Sequence, residues 1–224
     1  MKAFLDGIRT PKPGGSFTKQ FFNWNTLPGY GWTGITVAIL AFGFALGVLQ
    51  KWMDEFAGSV FPPILLQLDL GNFFGRLGIW IVLGTALSVY APSPLGASLR
   101  TAGFFLSMVA GYFLYCNYGL GFLPKTYMMM WIIAACLSCF PAYVAWYAKG
   151  EGLIAILLSS GILGVLLAQA VSLTQGVYIY HSLEVFAWLL GVLLLYRKPK
   201  ELALELGLSL LVAFLYQCIF PHWG

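Results

Sequence analysis

The hydrophobic residues of this chain gather into seven long apolar runs separated by short polar connections. Each run is close to the ~20 residues that an α-helix needs to cross ~30 Å of hydrocarbon. The runs are Trp32–Gln50, Phe73–Ala91, Thr101–Phe122, Tyr127–Tyr147, Gly152–Thr174, Tyr178–Tyr196 and Leu202–Phe220. This pattern predicts an all-α polytopic membrane protein, an integral helix bundle of about seven transmembrane helices. Six spans is the alternative if the sixth or seventh run is interfacial.

The segments between the runs suggest a simple domain organisation. Residues 1–30 are polar, basic and aromatic, and Pro11 and Pro13 interrupt any long helix there. We predict a cytoplasmic or interfacial tail over residues 1–30 and a single transmembrane helical domain over residues 31–224. The first apolar run begins too far into the chain for a cleavable signal peptide. The longest connection, residues 51–72, has room for a short interfacial helix.

Lysine and arginine positions predict how the chain is oriented. With the N-terminus in the cytoplasm, only Lys51, Arg76 and Lys125 fall on the outer side, and nine of the 12 basic residues fall on the inner side. Cytoplasmic loops of membrane proteins carry an excess of lysine and arginine. The sequence therefore predicts a multi-pass protein of the cell membrane with a cytoplasmic N-terminus and a C-terminus outside.

The overall composition excludes several classes of protein. Hydrophobic residues make up 60% of the chain and charged residues only 9%, against roughly 25% in an average soluble domain. So few charges cannot cover a water-facing surface. A soluble enzyme, a disordered protein and a nucleic-acid-binding protein are therefore excluded, and the lipid bilayer is the expected partner.

Polar side chains inside the apolar runs are the best indication of function, because an ionisable group in a bilayer is costly unless it is paired or hydrated. Glu184 is the strongest case, roughly 9 Å below the predicted outer interface, with His181 about one helical turn before it. Arg76, Asn117 and Gln169 also lie near the outer ends of their runs. We expect these five residues to line an outward-facing polar pocket that binds or transports a small solute, with Arg76 and Glu184 as close neighbours.

Two other interpretations are compatible with the same sequence. In the first, the charged and amide side chains have a purely structural role and hold the helices together. Small residues four positions apart, Ala41 with Ala45 and Gly43 with Gly47, allow helices to approach closely. They favour a non-catalytic subunit or scaffold that docks a partner membrane subunit.

Enzyme and cofactor motifs are few in this chain. It has no H-E-x-x-H, G-x-S-x-G or Walker sequence and only two histidines, so no metal or other cofactor is expected. Cys136 and Cys139 form a C-x-x-C within an apolar run, where burial keeps a thiol protonated and unreactive, and a packing role is favoured. An enzyme acting on a lipid-borne substrate, with His181 and Glu184 as an acid–base pair, is the third hypothesis.

Overall fold

The computed structural model of the chain describes residues 7–9, 32–60, 62, 66–67 and 69–220. The predicted tail over residues 1–30 lies outside the described residues except for residues 7–9, and so does the C-terminus after residue 220. The described residues are almost entirely helical, which confirms the all-α prediction.

Nine α-helices and one short hairpin make up the described part of the chain. The helices are α1 (Trp32–Val60), α2 (Leu70–Phe73), α3 (Leu77–Val89), α4 (Pro94–Leu114), α5 (Lys125–Leu137), α6 (Cys139–Tyr147), α7 (Leu153–Ala170), α8 (Ser182–Leu195) and α9 (Pro199–Ile219). A π-helical turn, Tyr115–Gly119, extends α4. Strands β1 (Val171–Ser172) and β2 (Tyr178–Ile179) pair antiparallel between α7 and α8.

Local sequence signals account for where some helices begin. Pro94 and Pro199 occupy the first turns of α4 and α9, where a residue without an N–H group costs no hydrogen bond. The Ser93 side chain caps α4 by accepting a hydrogen bond from the Gly96 N–H at 3.1 Å. In the connection after α1, the four-residue α2 is the helix described just before Arg76, and residues 61, 63–65 and 68 lie outside the described set.

Five helical segments of the described chain are long and apolar enough to cross a membrane. They are Gly34–Phe56, Pro94–Gly119, Lys125–Tyr147, Leu153–Ala170 and Pro199–Ile219. The second and sixth predicted spans contain shorter helices, because a turn before α3 and the β-hairpin before α8 take up their first residues. With 13 and 14 residues, α3 and α8 are about 20 and 21 Å long.

Glycines on α1 bring it close to α4. Gly47 packs against Met108, and a Cβ atom at Gly47 would lie 1.9 Å from the Met108 carbonyl oxygen. Gly43 is also buried, whereas Ala41 and Ala45 on the same helix are exposed. One of the two predicted small-residue pairs is therefore used for packing within the chain, and the other faces outwards.

The helices α3 and α8 begin together and end together. Arg76 precedes the first residue of α3, and it contacts Glu184 in the first turn of α8. Val89 and Leu195, at the opposite ends of the two helices, share one hydrophobic cluster. The two helices are therefore parallel. We call the end with Arg76 and Glu184 the Arg76 end, and the opposite end, where Lys149 lies, the Lys149 end.

The central helix is α7, which packs against both α8 and α9 through glycines. Gly164 of α7 faces Val212 of α9, and Gly191 of α8 faces Leu166 of α7. The 18 residues of α7 span about 27 Å. Because α8 is shorter and also reaches the Lys149 end, it stops short at the Arg76 end, and the β-hairpin occupies the remaining length. Glu184, in the first turn of α8, therefore lies deeper in the bundle than the end of α7.

Candidate functional site

Arg76 holds two carboxylates at the start of α3 and α8. Its Nε donates a hydrogen bond to Glu184 Oε1 at 2.9 Å, across 108 residues of sequence. Its Nη1 donates to Asp69 Oδ2 at 2.8 Å. The side chain of Glu184 is only 1% exposed, whereas that of Asp69 is 41% exposed. The two ionisable residues expected to be neighbours, Arg76 and Glu184, are thus in direct contact, with Glu184 buried and Arg76 23% exposed.

A glycine makes room for the Glu184 carboxylate. A Cβ atom at Gly78, in the first turn of α3, would lie 1.9 Å from Glu184 Oε2. The carboxylate therefore rests against the beginning of α3, where the helix dipole favours negative charge. The same reasoning applies to α8, because Glu184 belongs to the first turn of its own helix.

Asp69 is the residue of this site that the sequence analysis missed. Its φ of 57° lies in the left-handed region, and it is the only non-glycine residue of the described chain with a positive φ. Such backbone strain persists where surrounding contacts maintain it. The Asp69 carboxylate accepts hydrogen bonds from Arg76 and from Asn72 Nδ2. The bond from Arg76 is the main cause of a lowered pKa, so Asp69 is ionised at neutral pH.

The three charged side chains leave unused hydrogen-bonding capacity. Two carboxylates and one guanidinium give the cluster of Asp69, Arg76 and Glu184 a formal charge of −1. Within the described chain, the buried atoms Oε2 of Glu184 and Nη2 of Arg76 have no hydrogen-bond partner. Buried polar atoms are usually paired, so each such atom needs an explanation. The cluster offers one free acceptor and one free donor next to an excess negative charge.

Aromatic side chains of the β-hairpin lie at the same end. The rings of Tyr178 and Tyr180 meet edge to face at a centroid distance of 5.1 Å, and Tyr180 lies 6.4 Å from the ring of His181. The Tyr180 N–H donates to the Ala170 carbonyl at 2.9 Å, which ties the hairpin to the end of α7. The hairpin thus presents two tyrosines just before the helix that carries Glu184.

Gln217 fixes this hairpin from α9. Its Nε2 donates to the carbonyl oxygens of Ala168 at 2.8 Å and Val171 at 2.6 Å. Its Oε1 accepts a hydrogen bond from the Leu173 N–H at 2.8 Å. A buried amide that satisfies three main-chain groups is a structural element, and it sets the position of the tyrosines.

The remaining predicted site residues take different positions. His181 precedes α8 and lies close enough to Asp69 to contribute to its lowered pKa. Gln169 is buried near the end of α7, and its Nε2 has no hydrogen-bond partner in the described residues. Asn117 is exposed in the π-helical turn. In the part of the chain that the structure describes, no hydrogen bond or ion pair joins Asn117 or Gln169 to Arg76.

Two cavities accompany this arrangement. A cavity of about 420 Å³ borders the cluster and is lined by residues that include Met53, Asp54, Asp69, Leu70 and Asn72. A larger apolar cavity of about 690 Å³ lies between α3, α4, α5, α6 and α7. None of the five predicted pocket residues lines either of these two cavities, and Asp69 alone connects the cluster to the smaller one.

Basic residues at the Lys149 end bind main-chain carbonyl groups, and Arg197 also pairs with Glu201 and the buried Glu205. Three cations donate hydrogen bonds to main-chain carbonyl oxygens near helix ends: Arg9 to Val89 and Trp146, Lys149 to Leu194, and Arg197 to Gly150. Cations are favourable at helix C-termini. Burial, with the nearby charges of Arg9 and Arg197, lowers the pKa of Lys149 to about 8. This end is therefore a network of structural contacts.

The cysteines form no disulfide and no metal site in the described chain. All four are free, and Cys136 and Cys139 lie on either side of the break between α5 and α6. A search of the described residues finds no group of three or more metal-ligating side chains. Compared with models of protein families, with curated proteins and with solved structures, the chain matches none of them.

Proposed function

We propose that this chain is a seven-span protein of the cell membrane that binds, and transports, a small solute at the cluster of Asp69, Arg76 and Glu184. The observation that carries the proposal is the Glu184 carboxylate, whose side chain is 1% exposed. One of its oxygens pairs with Arg76, and the other has no hydrogen-bond partner among the described residues. An ionisable group kept in such a position within a membrane protein is a functional candidate by default.

The helix directions support seven crossings. The short helices α3 and α8 each run from the Arg76 end to the Lys149 end, and the central helix α7 runs the opposite way between them. Under the proposed topology the Lys149 end is cytoplasmic, since Arg9, Lys149 and Arg197 gather there. The N-terminus is then inside, and the Arg76 end faces outwards.

The charge of the cluster favours a cationic solute. Arg76 is already opposed by two carboxylates, so an anion gains little from it, whereas an ammonium group is attracted to the excess negative charge. Tyr178 and Tyr180 present aromatic faces at the same end, and such faces attract cations. We therefore propose a small solute with an ammonium group, with His181, Gln169 and Asn117 as further polar groups of the outer end.

The smaller cavity provides a path to the cluster. Its lining includes Asp54 and Asp69, and Asp69 contacts Arg76 directly. An acidic lining concentrates cations near the opening. The chain has no nucleotide-binding motif, so active transport by this protein requires a coupling ion or a separate motor subunit.

A thermal-unfolding assay of the purified full chain tests this proposal, because a ligand that binds the folded state raises the unfolding midpoint. The probes are methylammonium, ethanolamine and choline, with acetate and phosphate as anionic comparators. We expect a cation to stabilise the wild type and the exposed-thiol control Cys136→Ser, and not Glu184→Gln or Asp69→Asn. No shift with any cation, or an equal shift in all variants, would contradict the proposal.

A partner subunit is the second candidate, and the position of α1 favours it. Ala41 and Ala45 are exposed on α1, while the glycine face of the same helix packs on α4. If a partner docks there, Ala45→Leu weakens the assembly without changing the unfolding midpoint of the isolated chain. An assembly unaffected by this substitution would exclude that surface.

A further inference from the structure

The larger cavity is separate from the charged cluster. It has a volume of about 690 Å³, and its lining includes Trp80, Gly84, Phe105, Trp131 and Leu137. None of its lining residues is charged, and none belongs to the cluster of Asp69, Arg76 and Glu184. A ligand for this cavity is therefore a different molecule from the solute proposed above.

Three of the hydroxyl groups in its wall, those of Ser88, Thr101 and Ser138, already have partners within the protein. The Ser88 hydroxyl donates to the Gly84 carbonyl at 2.7 Å and lies 3.3 Å from the Thr101 hydroxyl. The Ser138 hydroxyl donates to the Ala135 carbonyl at 2.6 Å. These hydroxyls do not require a polar ligand, so the cavity selects a hydrocarbon occupant.

The length of the cavity matches one lipid chain. Along α3 its lining extends from Leu77 to Ser88, which is about 17 Å at 1.5 Å per residue. Half of a ~30 Å hydrocarbon core is ~15 Å, and an acyl chain of one leaflet covers that distance. The cavity is thus elongated along the helix and has the extent of a single chain.

The cavity reaches the surface at the depth of the hydrocarbon. Leu137 lines the cavity, is 55% exposed and lies near the middle of the candidate span Lys125–Tyr147. Leu77 and Val144 line it as well and are 45% and 47% exposed. At this depth in a membrane the surrounding molecules are acyl chains, so the opening faces them.

A helix break shapes one wall of the cavity. The span Lys125–Tyr147 is interrupted at Ser138, and Pro141, three residues later, has no N–H group to donate within the helix. The Ser98 hydroxyl of α4 donates to the Cys139 carbonyl at 2.8 Å, so a neighbouring helix supports the break. Both Ser138 and Pro141 line the cavity, which makes the break part of its construction.

We propose that this cavity binds one acyl chain of a membrane phospholipid, which enters between α3 and α5 from the bilayer. A hydrocarbon chain in a space of this size makes dispersion contacts with the apolar side chains that line it. The site accepts the chain alone, since no charged residue in its lining is available for a headgroup.

Photo-crosslinking of the full chain in phospholipid nanodiscs tests the proposal. The probe is a phosphatidylcholine with a diazirine in its acyl chain, and labelled residues are mapped by peptide mass spectrometry. A Cβ atom at Gly84 would lie 3.4 Å from the Phe105 ring, an ordinary contact, so Gly84→Leu fills the cavity from α3. Ala134→Leu fills it from α5. The control is Gly207→Leu, since Gly207 is exposed on α9 with no atom within 4 Å.

We expect the wild-type label to concentrate on the lining of α3 and α5 and to be lost in both filling variants, but not in the control. If the label on the wild type is spread evenly over the lipid-facing helices, this result alone overturns the proposal. A cavity label that persists in both folded filling variants would also overturn it. Labelling by a diazirine isoprenoid, with no labelling by the phospholipid, would overturn the proposal as well. A disulfide between two copies of the Leu137→Cys variant in unlabelled nanodiscs would also overturn it, because it would place a second chain over the opening. Solute binding at the cluster is measured separately, so failure here leaves that proposal standing.

Discussion

Each end of the bundle holds an arginine between two carboxylates, but the two ends differ in the charges around that arginine. At the Lys149 end, Arg197 pairs with Glu201 and the buried Glu205, and Arg9, Lys149 and Arg197 also donate to main-chain carbonyl oxygens near the ends of helices. At the Arg76 end, one guanidinium lies between two carboxylates, and an atom of Arg76 and another of Glu184 have no partner in the described residues. Among the described residues Arg197 Nε and Glu205 Oε2 also lack a hydrogen-bond partner, so the two ends differ mainly in formal charge. The cluster of Asp69, Arg76 and Glu184 has an excess of carboxylate, whereas Arg9, Lys149 and Arg197 outnumber Glu201 and Glu205.

Helix direction explains this difference. The helices α3 and α8 both end near Lys149, and their exposed carbonyl groups attract cations. Both begin near Arg76, where their free N–H groups favour carboxylates, and Glu184 occupies the first turn of α8. Two parallel helices therefore favour cations at one end and carboxylates at the other, and α9, which begins at the Lys149 end, adds Glu201 and Glu205 there as partners of Arg197.

The largest effect is expected from removing the cation of the Arg76 end. Arg76→Met leaves Glu184 buried without a counter-charge, and breaking a buried pair in this way costs about 3–5 kcal/mol of folding free energy. Denaturation in detergent measures the loss. The double variant Arg76→Met with Glu184→Met removes both charges and should recover most of the stability. If the double variant is as unstable as Arg76→Met alone, the loss of the ion pair with Glu184 is not the cause of the lower stability.

A smaller loss is expected from removing a cation at the opposite end. Arg9→Met deletes two hydrogen bonds to main-chain carbonyls, and each bond to a charged group contributes about 1.5–3 kcal/mol. Arg9 is partly exposed and its loss leaves no buried charge behind, so we expect a total loss of about 1.5–3 kcal/mol. The loss is measured in the same denaturation assay. Because Arg9 has no carboxylate partner in the described residues, no second substitution should restore stability as it does for Arg76. A loss as large as that of Arg76→Met would remove the contrast between the ends.

The fit of Glu184 against α3 predicts a modest effect at Gly78. Gly78→Ala places a methyl group where Glu184 Oε2 lies, and a crowded core position costs about 1–3 kcal/mol. We expect the low end of that range, since the carboxylate is the flexible end of its side chain. The matched control is Gly161→Ala on α7, where a Cβ atom meets nothing within 4 Å. Equal stability of the two variants would mean that Glu184 does not rest on α3.

The smallest expected effect is a pH dependence at the Lys149 end. The folded pKa of Lys149 is about 8 against an ordinary 10.5, so between these values the unfolded chain binds more protons. Below pH 8 the amine of Lys149 is charged in both states, and burying that charge destabilises the fold most. The free energy of unfolding should therefore rise as the pH increases from 8 to 10.5. Thermal midpoints of the wild type and Lys149→Met, compared across the interval, measure this contribution. The difference between them should change with pH, and a constant difference would contradict it.

Sequence patterns were enough to predict the helical membrane fold and one long-range contact. Run length predicted helices that are long and apolar enough to span, and the cost of buried charge predicted that Arg76 and Glu184 lie together. Hydropathy did not reveal that α3 and α8 are shorter than their runs, since the turn before α3 and the strand Tyr178–Ile179 are themselves apolar. The number of spans inferred from runs therefore depends on helix length as well as on hydropathy.

The position of Asp69 in the site depends on local backbone geometry, which the hydrophobic periodicity of a sequence does not predict. Asp69 lies in a connection, and only its left-handed conformation and the turn to α3 bring it to Arg76. An acidic residue seven positions before an arginine within an apolar run was the available signal. Gln169 and Asn117 were grouped with the pair by depth alone, which does not specify the side of a helix on which a residue lies.

The most direct test of a binding site at the Arg76 end is equilibrium binding of radiolabelled choline to the full chain in nanodiscs, which expose both ends to solution. The comparison is between the wild type and the double variant Arg76→Met with Glu184→Met, which removes the Arg76–Glu184 pair and leaves no unpaired buried charge. We predict saturable binding to the wild type and none to the double variant. Binding of the same affinity by both chains, or none by the wild type, would contradict the account.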